Sequence, residues 1–91
     1  MKIFCVFDSK AEAYLQPFFM RTAGEAIRAF TDLVNGSDNQ FCKYPGDFVL
    51  FELGSYDDST AGITCLEAPH SLGVGVEFKK GTTTKDMDAL Q

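Results

Sequence analysis

The sequence predicts an α+β domain: an antiparallel sheet of four to five strands in the order β-β-α-β-β, with one amphipathic helix packed on one face. Three observations predict it. Lys2–Asp8 and Phe48–Leu53 are rich in β-branched and aromatic residues at both alternating sets of positions, which is the pattern of strands covered on two sides. One stretch, ending at Val34, repeats apolar residues at helical spacing behind a capping signal. Turn-rich segments separate the remaining short apolar runs, and 91 residues leave room for one domain. That domain is expected to run from residue 1 to 78, with residues 79–91 as a flexible C-terminal tail.

The first strand, Lys2–Asp8, is followed by a short polar connection, Ser9–Ala13, and by Tyr14–Arg21, which reads as extended. Pro17 cannot donate to a ladder, so this second strand lies at an edge or is broken there. Thr22-Ala-Gly-Glu25 has the form of a capping box, with the Thr hydroxyl accepting from the N3 amide and the Glu reaching back to the N-cap amide. From there the pattern predicts a helix to about Val34. Ala26, Ile27, Phe30, Leu33 and Val34 form its apolar stripe, Glu25, Arg28 and Asp32 its polar side, and Asn35-Gly36 its left-handed stop.

Ser37–Gly46 reads as a polar loop. Phe48–Leu53 and Gly62–Glu67 then make a second hairpin across the turn-rich Gly54–Ala61. Pro69 is expected to end it, and Ser71–Phe78 to add a weak last strand. A single helix covers one face of such a sheet, so the opposite face must be covered by the last strand or by a second copy of the chain. A homo-oligomer is therefore expected.

Charge and chemistry narrow the function. Thirteen acidic residues against eight basic ones give a net charge of -5, which argues against coating nucleic acid by bulk electrostatics. Up to Phe78 the chain holds five Lys/Arg and eleven Asp/Glu, net -6, while the last thirteen residues hold three Lys and two Asp, net +1. Cationic contacts must be local. No apolar run approaches the roughly 20 residues that span a bilayer, so no membrane partner is expected. Cys5, Cys42 and Cys65 form no C-x-x-C pair, and reduced thiols are the expected state.

The residues specify no enzyme, no metal site and no cofactor. A hydrolase needs a base beside a nucleophile, and His70, the one histidine, follows Pro69 in an expected loop, where it reads as a solvated loop residue. Asp57-Asp58 reads as turn chemistry, and Gly73-Val-Gly75 does not lie between a strand and a helix, as a phosphate-cradling loop would. The remaining constellation is aromatic and cationic: Lys10, Tyr14, Phe18, Phe19 and Arg21 around the first hairpin, with Arg28, Lys43 and Tyr44 as further candidates. Aromatic faces that stack on bases, flanked by cations on the backbone, are how single strands are bound. The competing account of Phe18 and Phe19 is that they are core residues on the two sides of a strand. Lys79, Lys80 and Lys85 are the densest cations and extend the candidate set into the tail.

Several blocks in order, Met1-Lys-Ile-Phe4, Tyr14–Arg21, Gly24–Phe30, Asp47–Gly54 and the Tyr56-Asp57 turn running to Gly62, resemble the small non-structural protein of gokushoviruses, single-stranded-DNA phages of the Microviridae. The resemblance covers about residues 1 to 69. It implies a DNA-binding protein made in the cytoplasm of the infected bacterium and absent from the virion, with a part in switching replication to single-strand synthesis or in packaging. It supplies no catalytic residue. Two function classes follow: binding of single-stranded DNA, or a protein adaptor that engages a phage replication or scaffolding protein through an apolar sheet face. A third, an acidic mimic of DNA, would need carboxylates arrayed on one surface.

Overall fold

The computed structural model describes residues 1–80. Five strands and two helices follow one another as β1 Lys2–Asp8, β2 Ala13–Tyr14, β3 Phe18–Met20, α1 Ala23–Val34, α2 Gln40–Lys43, β4 Phe48–Asp57 and β5 Gly62–Val74. All pairings are antiparallel, in the order β2-β1-β4-β5, with β3 sharing the β1 edge that β2 occupies. The architecture is the α+β one that the alternation and capping patterns predict. The Tyr14–Arg21 strand is broken at Pro17 into β2 and β3, because the chain arches off the ladder where no amide is available.

Alternation along β1 divides its side chains between two environments. Phe4 and Val6 point towards α1 and join Phe48 and Leu50 of β4 and Ala26, Phe30 and Val34 of the helix in the buried core. Phe41, Phe48, Phe30 and Phe78 continue that core edge to face, with ring centroids 4.7 to 6.1 Å apart. Burying the exposed-chain surface of one such phenylalanine contributes about 2 kcal/mol, so this cluster carries much of the stability.

Local details depart from the sequence expectations at five places. In the capping box, Thr22 Oγ1 accepts from the Glu25 amide at 3.1 Å, but the Glu25 carboxylate takes the Arg21 amide, one residue before the N-cap. Leu33 lies at the margin of the helix stripe and is 43% exposed. Asn35 has φ -99 rather than a left-handed conformation. The last carbonyls of the helix accept from side chains: Asn35 Nδ2 donates to the Thr31 carbonyl at 2.8 Å, Asn39 Nδ2 to the Leu33 carbonyl at 3.0 Å and the Lys79 ammonium to the Val34 carbonyl at 3.0 Å, while Asn35 Nδ2 also reaches the Phe78 carbonyl at 2.9 Å. The expected loop Ser37–Gly46 contains α2, capped by Asn39, whose turn delivers Phe41 to Phe30 and Phe48.

The fifth departure is β5. Pro69 does not end it; between the pairs Glu52↔His70 and Gly54↔Cys65 the strand carries a large bulge, Leu66–Pro69, where an unpaired proline is tolerated. The strand stops at Val74, and Gly75–Phe78 forms a 3-10 turn on the helix side. Gly75 is buried, and a Cβ there would collide with the Pro45 carbonyl, so the chain passes where only glycine fits. The expected last strand over Ser71–Phe78 therefore does not cover the face opposite α1. Phe78 packs on Phe30 in the core instead.

Candidate nucleic-acid interface

Period-two alternation sends Ile3, Cys5 and Phe7 of β1 to the face that no described helix covers, and register brings partners to each. Phe7 lies opposite Tyr14 and Val49, Cys5 opposite Phe51, and Ile3 opposite Phe19 and Gly54. Two aromatic groups result. The Tyr14 ring sits 4.8 Å from Phe7 and 5.7 Å from Phe51, and the Phe19 ring meets Tyr56 edge to face at 5.7 Å. Tyr14 is 52% exposed and Phe19 46% exposed, so both present ring surface to solvent.

Between the two groups lies an open hollow of about 290 Å³ lined by Cys5, Tyr14, Leu15, Pro17, Leu53 and Pro69. The Leu15–Pro17 arch, held by the Leu15 amide on the Val6 carbonyl at 2.7 Å, forms one wall. None of the lining residues carries a charge. Burial pushes the Cys5 thiol up, so it is a protonated, apolar floor for the hollow.

The sequence-derived candidates fall in three places. Tyr14 and Phe19 are on the open face, with exposed Arg21 two residues beyond Phe19 at the end of β3. Phe18 is on the other side of the sheet: it stacks on Phe4 at 5.8 Å and 29° and packs against the core, as the core account of that residue has it. Lys10 and Tyr44 meet in a second hollow with Asp8, Gln40, Asp47 and Phe48, where two carboxylates offset the single ammonium. Arg28 is exposed on α1 and Lys43 on α2, and they are not part of the open face.

Lys79 and Lys80 are bonded to the body. The Lys79 ammonium donates to the Val34 and Cys42 carbonyls, and the Lys80 amide to Asn35 Oδ1 at 2.7 Å. Lys85 and the rest of the expected tail lie outside the described residues. The candidates missed from sequence are Phe7, Phe51 and Tyr56. The first two were open to inference, since Phe7 shares the alternating set of Ile3 and Cys5, and Phe51 is out of phase with Leu50. Tyr56 required knowing that β4 continues to Asp57.

Together these features define a small α+β domain with one sheet face sealed by a helix and the other, among the described residues, bearing exposed aromatic rings. The chain belongs to the Phage ORF5 protein family, whose sequence model matches residues 1–78, and is thus a bacteriophage protein. Comparison with curated proteins and with solved structures finds no match. No described helix is long and apolar enough to cross a membrane.

Proposed function

We propose that this phage protein binds single-stranded DNA on its open sheet face and acts in viral genome replication, at the switch to single-strand synthesis, or in packaging. One observation carries the reading: the two exposed aromatic groups, Tyr14 with Phe7 and Phe51, and Phe19 with Tyr56, on the sheet face without a helix. Every base has a π-face, so such a surface takes single strands without reading sequence, and stacking contributes about 1–3 kcal/mol per base. Duplex DNA keeps its bases stacked internally and offers no such contact.

The resemblance to the gokushovirus non-structural protein supports the same role and adds its setting, the cytoplasm of the infected bacterium and outside the virion. The acidic body limits phosphate contacts, so stacking must supply most of the affinity. A second reading is favoured by the uncharged hollow between the aromatic groups: an adaptor that docks an apolar segment of a phage replication or scaffolding protein there.

Anisotropy of labelled oligonucleotides discriminates the two. Under the DNA reading, single strands bind more tightly than duplex, and Tyr14→Ala or Phe19→Ala weakens binding by about 5- to 100-fold at unchanged circular dichroism. Absence of single-strand binding in the wild type removes the DNA reading.

A further inference from the structure

The outer edge of β5 ahead of its bulge carries a separate inference, independent of DNA binding. Met1 and Tyr56 exchange both backbone bonds, with the Tyr56 amide on the Met1 carbonyl at 2.7 Å and the Met1 amino group on the Tyr56 carbonyl at 3.1 Å. Tyr56 therefore directs its polar groups away from β5. In an antiparallel ladder hydrogen-bonded and non-bonded pairs alternate, so Ser55↔Thr64 is the bonded pair, and Ile63 and Cys65 turn their amides and carbonyls outward. No other described strand pairs with that edge, since β5 ends the sheet.

The edge lacks the usual protections. Gly62-Ile-Thr-Cys-Leu66 has no lysine, no proline and no charge, while Ile63 is 60% and Leu66 42% exposed. The protective features close its far end, where the bulge opens at Leu66 and Pro69 follows. We propose that this segment is a self-association edge, pairing antiparallel with Gly62–Leu66 of a second copy about a two-fold axis at Thr64.

Register follows from which residues can pair. Centring on Thr64 sets Ile63 against Cys65 of the partner and Cys65 against its Ile63, so all four outward residues bond and Leu66 lies over Gly62. Centring on Ile63 would recruit Ala61, whose φ of 63 is incompatible with a ladder. Centring on Cys65 would need ladder bonds from Glu67, inside the bulge, whereas the Thr64 register needs none from Leu66, which falls in a non-bonded pair. A second copy is the occupant that fits, because an uncharged antiparallel edge complements itself, and two acidic chains can meet there without opposing carboxylates. Two-fold pairing consumes the open edge, and the bulge blocks its extension, which closes the assembly at two chains.

The test is the mass in solution, by sedimentation equilibrium under reducing conditions from micromolar to sub-millimolar protein. The mass should rise with concentration from the 10.0 kDa of the chain towards twice that value. Ile63→Lys, at an exposed position, should weaken association at least tenfold with the circular dichroism unchanged. As an independent readout, Thr64→Cys in a Cys65→Ser background should form an interchain disulfide on mild oxidation, because the two residues 64 would be a non-bonded pair with Cα atoms about 4.5 Å apart. A wild type that stays monomeric throughout overturns the proposal. So does a dimer that tolerates Ile63→Lys and gives no interchain disulfide.

Discussion

The Lys79 ammonium donates to the Val34 carbonyl at 3.0 Å, so the residue that follows the core phenylalanine Phe78 closes the C-terminal end of α1. No basic residue lies in the last turn of that helix, and this lysine supplies the missing charge from 45 residues away. A charge-assisted bond to a terminal carbonyl and the interaction with the helix dipole act together here.

Lys79→Ala should therefore lower stability by about 1 kcal/mol, read as a shift of the urea midpoint at constant slope. It should leave the salt dependence of single-strand binding unchanged, because this ammonium is committed to the fold. A shallower salt slope without loss of stability would make Lys79 a phosphate contact instead.

The helix stripe makes a contrast between neighbours. Phe30 is 2% exposed at the centre of the aromatic core, and Phe30→Ala should cost about 3–5 kcal/mol, a large share of the stability of a domain of this size. Leu33→Ala, at the stripe's margin, should cost less than about 1 kcal/mol. Thermal melts of the two variants check both figures.

How far such details were legible in the sequence depends on range. The Thr22/Glu25 cap, the 26/30/34 spacing and the alternation along Lys2–Asp8 are local signals, and each placed its element. Phe41 in α2 and the Lys79 cap depend on partners outside their own local stretch of chain, so no short window of sequence contains them. Pro69 misled because proline forbids a paired position, and the bulge removes the need for pairing there. On the candidate face, residue type found Tyr14 and Phe19, but only register could assign Phe18 to the core and bring in Tyr56.

Gly54 should not accept a side chain. A Cβ there would collide with the Thr64 carbonyl and sit 2.9 Å from the Cys65 Cα, both backbone, so β4 and β5 would have to separate. Gly54→Ala should cost about 1–3 kcal/mol and raise amide exchange in Gly62–Cys65. Unaltered exchange there would contradict the close approach.

The β4–β5 turn should respond to acid. The Ser59 hydroxyl, at 2.7 Å, and the Ser59 amide, at 2.9 Å, hold the Asp57 carboxyl below its usual range. A lowered folded-state pKa favours the folded turn above the unfolded value of about 3.9, and that contribution is lost as pH falls through the folded value. Amide exchange at Ser59, corrected for its intrinsic pH dependence, should be flat between neutral pH and about 5 and show loosening only below about 4. In Asp57→Ala that acid transition should disappear.

Binding of single strands should depend only weakly on salt. Arg21 is the cation nearest in sequence to Phe19 on the open face, Lys10 is partly offset by Asp8 and Asp47, and each phosphate contact on a single strand contributes a slope of about 0.7. A log K against log salt slope of magnitude about 1.4 or less is expected, and a slope several times steeper would locate binding on a cationic surface elsewhere.

The most direct measurement of the central claim is a two-dimensional NMR titration of the labelled protein with an unlabelled oligothymidylate, following aromatic ring resonances. Stacking on the open face predicts upfield shifts of the Tyr14 and Phe19 ring protons, smaller ones at Phe7, Phe51 and Tyr56, and none at Phe18 or Phe30 on the core side. Shifts confined to α1, or to the Lys10–Tyr44 hollow, with the Tyr14 and Phe19 rings unmoved, would contradict it.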